Sequence, residues 1–122
     1  MNTAIPEIRQ HPSDVLLLPV SPETLCIPLD SIIRIEASSN YSKVFCKDQS
    51  FPIVAAKVLR WFEERLPQQV FVRVHRTHLV NKKYVVAIRN NNVLLESGMQ
   101  ISISRRKRKK CFPHLQANII LL

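Results

Sequence analysis

Three short stretches carry residues that could do chemistry. VRVHRTHLVN, residues 72 to 81, sets two arginines and two histidines inside a run of valines. ISISRRKRKK, residues 101 to 110, ends an alternating segment in six consecutive basic residues. SSNYSK, residues 38 to 43, groups Asn40, Ser42 and Lys43 around the aromatic Tyr41. Metal binding, nucleophilic catalysis and anion recognition are the chemistries to weigh.

His75 and His78 form an HxxH pair, but a metal needs further ligands at compatible places. His11 and His114 lie in terminal segments, and HExxH is absent. Cys26, Cys46 and Cys111 are widely spaced with no CxxC, so no zinc framework is expected. Cys46 or Ser38 could meet a histidine in space, yet no GxSxG-type strained turn presents a nucleophile. The chain holds a single glycine, Gly98. Phosphate-cradling loops use several glycines so that backbone amides can approach the anion. No catalytic residue, no metal and no cofactor is expected from these patterns, and the chain is not read as an enzyme.

Anion recognition fits better. The net charge is +9, with 18 Lys and Arg against 9 Asp and Glu, an excess that points to a polyanionic partner. Within the basic run, helical i,i+4 pairs Arg105–Lys109 and Arg106–Lys110 would each cost about a few tenths of a kcal/mol. Cations in a first helical turn also oppose the helix dipole. A phosphate backbone reverses both penalties, so the run after the N-cap candidate Ser104 reads as an anion-dependent anchor. A solvated basic tail is the plainer alternative. Arg76 falls where the valine alternation ends, which puts it at a turn tip, free to donate two parallel hydrogen bonds to guanine O6 and N7 or to a phosphate. Arg73 and His75 read as half-buried residues bracing the strand against Tyr84 or Asn81.

The elements that must position these residues follow from periodicity. VLLLPV, TLCIPL, IIRIEA and YSKVFCK are apolar and β-branched, separated by SPE, DS and SSN, and read as short strands. Ala55, Val58, Leu59, Phe62 and Leu66 share one helical face and Pro67 follows, so one amphipathic helix is expected over about 55 to 66. In QVFVRVH, Val70, Val72 and Val74 alternate with Phe71, Arg73 and His75, and the valine face is the expected core. YVVAIR, NVLLES and QISIS form an expected meander, turning at Asn90 to Asn92 and at Ser97-Gly98. A short basic helix closes the chain.

At 122 residues and 46% hydrophobic content, one folded domain is expected. Residues 1 to 14 read as a proline-marked linker or tail, and 15 to 122 as a single domain with a basic segment at 104 to 110. Secretion needs an unbroken apolar segment, which Pro6, Glu7 and Pro12 interrupt, and VLLLPV is far short of the roughly 18 to 20 apolar residues of a membrane span. With no disulfide framework, a cytoplasmic protein without membrane contact is expected.

IPLDSIIRIEASSNYSKVF, FVRVHRTHLVN and NVLLESGMQISISRR, in this order, resemble the LytTR family of bacterial DNA-binding domains from about Leu25 to about Lys110. The most specific part is FVRVHRTHLVN, similar to the family pattern F, x, R, hydrophobic, H, R, S, x, x, V, N; Thr77 keeps the hydroxyl of the more usual Ser. The resemblance implies an elongated, mainly β fold of short antiparallel strands without a recognition helix. Loops and strand ends at one edge would enter successive major grooves of double-stranded DNA. Carried onto matching positions, the contact regions are Asn40 to Lys43, with Asn40, Ser42 and Lys43 as contacts, then Arg76 with Thr77, and Arg105 with Arg106; Lys107 joins them from the basic run.

The implied function is a sequence-specific transcription regulator, possible as a homodimer on repeated half-sites and related to response regulators. A receiver domain commonly precedes such a module, and fourteen residues cannot hold one; a stand-alone regulator and a fragment are both open. Two other readings stay open as well. One is an RNA-binding β domain with stacking through Tyr41 or Phe45. The other is a protein-interaction module with Ile119 to Leu122 as the contact.

Overall fold

The computed structural model describes residues 15 to 116 and 120 to 121. The expected tail at 1 to 14 lies outside the described residues. Among the described residues, three sheets, antiparallel but for one parallel pairing, and two α-helices make a mainly β fold.

The chain opens on a hairpin of β1 (Val15–Val20) and β2 (Glu23–Pro28). Alternation in VLLLPV sends Leu16 and Leu18 inward while Leu17 faces solvent. Next come β3 (Ile32–Ser38) and β4 (Tyr41–Cys46), joined by a two-residue turn in which Ser39 has φ +58°. With β5 (Ile53–Ala55), β6 (Phe71–His75) and β7 (His78–Asn81) they build a five-stranded sheet in the order β5-β4-β3-β7-β6. A second sheet contains β8 (Val85–Arg89), β9 (Asn92–Leu95), β10 (Gln100–Ser102) and β11 (Ile120–Leu121), in the order β10-β9-β8-β11. The backbone of β11 runs parallel to β8, pairing Ile120 with Ala87 and Leu121 with Ile88. Ile120 and Leu121 thus add a strand to the sheet; Ile119 and Leu122 of the expected contact lie outside the described residues.

The helix expected over 55 to 66 is shorter: α1 spans Leu59–Arg65. Ile53 and Val54 are β-branched and pair with β4, so Ala55 is buried as the end of a strand. Val58 stays extended at the N-cap and is exposed. Leu66 is extended because Pro67 disfavours helical backbone before it. Leu59, Phe62 and Leu66 still form the buried face the periodicity predicts.

Two apolar cores sit on opposite sides of the five-stranded sheet. One gathers Leu16, Leu18, Ile27, Ile35, Val44 and Phe62 under the β1–β2 hairpin and α1. The other gathers Val74, Val80, Val93, Leu95, Ile103 and Leu115 under the second sheet and α2 (Arg108–Gln116). Strand β6 serves both, since Phe71 packs into the first core while Val72 and Val74 pack into the second. Its valine face is core, and its other face is partly core too.

Asn81 fastens the centre. Its side chain is buried, donates to Ile32 O at 2.9 Å and Leu29 O at 3.4 Å, and accepts from Lys83 N at 2.9 Å. Buried backbone groups are thereby satisfied where the ladder ends. The Tyr84 hydroxyl donates to Asp30 O nearby. Arg73 and His75 were expected to lean on Tyr84 or Asn81; their hydrogen bonds lie elsewhere, at the turn described next.

Candidate nucleic-acid interface

Register places the reactive segments at one end of the molecule. Glu36 pairs with His78, and Ala37 N donates to Thr77 O at 2.9 Å. The β3–β4 turn, with Asn40 exposed, therefore extends past the β6–β7 turn that carries exposed Arg76. From the other sheet, Ser104 N donates to Val74 O and Ile103 N donates to Asn91 O, each at 2.9 Å. The basic segment consequently starts beside β6 and beside the β8–β9 turn.

That turn is Asn90-Asn91, both at positive φ, +52° and +62°. Asparagine tolerates this left-handed backbone, which suits the twist of a tight hairpin.

The basic run begins as a 3-10 turn, Arg105–Lys107, and continues as α2. Ser104 occupies the expected N-cap with extended backbone, but its side chain makes no capping bond; the link is Lys107 N to Ser104 O at 2.9 Å. Three consecutive cations precede the regular helix, and α2 packs on β6 through buried Cys111 and Leu115. Cys111 Sγ donates to Arg73 O at 3.0 Å. Burial pushes the Cys111 thiol up to about 11, against the opposing pull of Lys107 and Lys110.

Between the β6–β7 turn and the basic run lies a concavity of ≈ 670 Å³ lined by Arg73, His75, Arg76, Ser104, Arg105, Arg106, Lys107 and Lys110. Its cations are crowded because two separately supported backbones meet there. Among the described residues, Arg73 alone of these has a carboxylate partner, Glu63 of α1. Arg73 also donates through Nε to His75 O at 2.9 Å and through Nη2 to Arg76 O at 2.6 Å. One guanidinium thus spans α1 and the turn that presents Arg76.

Arg76, Arg105 and Arg106 are exposed and Lys107 is partly exposed, all on the concavity. Asn40 and Lys43 stand on the neighbouring hairpin, apart from it; Lys43 pairs in register with Glu36 and helps lower that carboxyl. The Arg34 side chain is the larger cause, hydrogen-bonding Glu36 at 2.7 Å. Ser42 does not belong with the contacts. It is buried at 0% exposure, and its hydroxyl donates to Lys57 O at 2.7 Å. Alternation along β4 turns it inward between exposed Tyr41 and partly exposed Lys43, where it ties the hairpin to the segment leading into α1. Thr77 is half-buried, its hydroxyl engaged between His75 and His78.

Sequence reasoning took in Lys110 only as part of the basic run, and it missed the Asn90-Asn91 turn as a neighbour of the site. It also missed Arg73 as the clamp on the Arg76 turn. The Asn90-Asn91 turn and the Arg73 clamp depend on which elements pack together, which no local pattern reports.

Among the described residues, a β scaffold presents exposed cations and amide side chains at turns, the class of surface that suits a polyanion such as DNA. Comparison with known proteins identifies the family: the LytTr DNA-binding domain model matches residues 23–116. The chain belongs to this DNA-binding family, whose work is transcription regulation. It is 27% identical over 100 residues to the sensory transduction protein LytT of Bacillus subtilis (strain 168), covering 78% of this chain and 41% of that protein. A solved LytTr DNA-binding domain from Bacillus cereus shares the fold, with TM-score 0.67 and 21% identity over 84% of this chain and 96% of that one. Among the described residues, no helix is long and apolar enough to cross a membrane.

Proposed function

We propose that this chain is a cytoplasmic, sequence-specific double-stranded DNA-binding transcription regulator that performs no catalysis. Arg76 reads a base edge in the major groove, while Arg105, Arg106 and Lys107 hold phosphates on the flank. Asn40 and Lys43 extend the contact along the duplex from the neighbouring hairpin, and Thr77 supports the Arg76 turn. Two copies bind repeated half-sites as a homodimer.

The observation that carries this reading is the shared basic concavity, where Arg76 on a braced turn faces the cations of the run after Ser104. A guanidinium on a fixed turn can satisfy the bidentate geometry of guanine, whereas flexible lysines beside it supply charge.

The test begins with selection from a random duplex library at about 150 mM salt, where non-specific attraction is partly screened. A repeated short motif is the expected product. On that motif Arg76→Ala should cost about 1–3 kcal/mol and relax preference at one position. Equal loss on selected and random DNA would refute base reading by Arg76. Tighter binding to RNA than to any duplex would favour an RNA-binding domain instead.

A further inference from the structure

The turn that presents Arg76 is held from behind by a chain of polar side chains whose proton positions can be deduced. Thr77 N donates to His75 Nδ1 at 3.2 Å, so that nitrogen carries a lone pair. The Thr77 hydroxyl lies 2.8 Å from the same Nδ1 and must donate to it. A hydroxyl has one proton to give. Thr77 Oγ1 therefore accepts from His78 Nδ1, 3.1 Å away. His78 Nε2 is left with its lone pair, facing Arg34 Nη1 at 3.4 Å, and Arg34 in turn donates to Glu36 Oε1 at 2.7 Å. With one proton on each ring, this arrangement gives every member of the chain a partner.

We propose that His75 and His78 are positioning residues for Arg76 and hold its turn only while both are neutral, so that mild acid lowers the protein's sequence selectivity. This rests on the reading that Arg76 contacts a base.

The groups around each ring set the sign. A proton on His75 Nδ1 removes the acceptor that both Thr77 donors use. It also adds a charge to a concavity already holding Arg73, Arg76, Arg105, Arg106, Lys107 and Lys110. A proton on His78 Nε2 points at the Arg34 guanidinium; Glu36 Oε1, 3.7 Å away, offsets this in part. Burial is the largest influence on His78 and lowers its pKa, Arg34 and His75 adding to the effect against Glu36. With the folded value below the unfolded one, the stabilisation is complete above the unfolded imidazole range and is lost as pH falls through the folded value. Non-specific attraction to phosphate goes the other way, since each new imidazolium adds charge. Selectivity and bulk affinity should thus separate in acid.

The experiment measures anisotropy on the selected duplex and on a scrambled one, at about pH 7.5 and about pH 5.5, across the imidazole range. The ratio of the two affinities should fall about tenfold in the wild type, the worth of roughly one hydrogen bond. Affinity for the scrambled duplex should hold or rise.

The double variant His75→Asn with His78→Asn replaces one Nδ1 acceptor by an amide oxygen and one Nδ1 donor by an amide N–H, and neither titrates. Its ratio should stay flat with pH. His78→Leu should show a low ratio at both pH values. Imidazole 15N spectra of the DNA-free protein should place the proton on Nδ1 in His78 and on Nε2 in His75, with the Thr77 amide shifting as the rings titrate.

A flat wild-type ratio, a selective His78→Leu protein, or the opposite tautomers would overturn the proposal. If no duplex is preferred even at neutral pH, the base-reading role of Arg76 fails separately. The tautomers and the Thr77 amide then decide whether the histidines hold the turn.

Discussion

Salt dependence will report how many cations of this face meet phosphate. Besides Arg73, which is neutralised by Glu63, the concavity presents Arg76, Arg105, Arg106, Lys107 and Lys110. Lys43 adds another on the hairpin. Each phosphate neutralised on duplex DNA contributes about −0.9 to the slope of log K against log salt, so with Arg76 on a base the other five give a slope of about −4.5. Raising salt from about 50 mM to about 200 mM should then lower affinity roughly 500-fold. Lys107→Ala removes one contact and should reduce the slope by about 0.9 on selected and scrambled duplexes alike. Anisotropy titrations on a labelled duplex at fixed pH measure both. A wild-type slope shallower than about −2, or a Lys107→Ala slope equal to wild type, would refute the assignment of this face to phosphate.

Two further outcomes concern the scaffold. Asn81→Leu leaves Ile32 O and Lys83 N without their buried partner and should destabilise the fold by about 3–5 kcal/mol, read as a lower urea midpoint; an unchanged midpoint would mean that water or backbone movement replaces the amide. Cys111, buried and with its thiol pushed up to about 11, should resist iodoacetamide near neutral pH while exposed Cys26 is alkylated, as peptide mass spectrometry would reveal; Cys111 reacting first would contradict the packing of α2 on β6.

The strands were legible because their signal is local. Alternation in VLLLPV, VFVRV and NVLLES needs only a period of two, and turn chemistry at SSN and NNN fixed where each stretch must reverse. Helix α1 was mis-bounded for a physical reason: Ala55 and Val58 complete an apolar helical stripe on paper, but Ile53 to Ala55 are captured by the edge of β4. Pairing across the sheet overrode a pattern that a helix and a strand can share at their junction.

For the candidate site, the exposure of Arg76, Arg105 and Arg106 and the partial exposure of Lys107 were legible because an alternation that ends in charge marks a strand end. Ser42 was misread because its neighbours Asn40 and Lys43 made the stretch look uniformly polar, whereas alternation along β4 turns it inward. Arg73 illustrates the opposite failure. Its partners are Glu63 on α1 and the carbonyls of the turn, and only tertiary structure brings a helix ten residues upstream to that point.

In the proposed reading, the two-core arrangement is what lets a small β domain present a base-reading turn without a recognition helix. A turn is a poor reader when it is mobile, because fixing it on DNA costs conformational entropy at the moment of binding. Here the Arg76 turn is not left to itself. Its first strand, β6, is packed on both faces, Phe71 into one core and Val72 and Val74 into the other. The Arg73 guanidinium holds the carbonyls of His75 and Arg76 while paired to α1. Ser104 N, where the basic run begins, is bonded to Val74 O on the same strand. Arg76 and the cations of the basic run therefore share one support, and in the proposed reading the distance between base contact and backbone contact is set before DNA arrives. That is the geometric requirement for phosphate contacts to fix the register in which a base is read. Because both cores grip β6, loosening either one should disturb Arg76 and the basic run together.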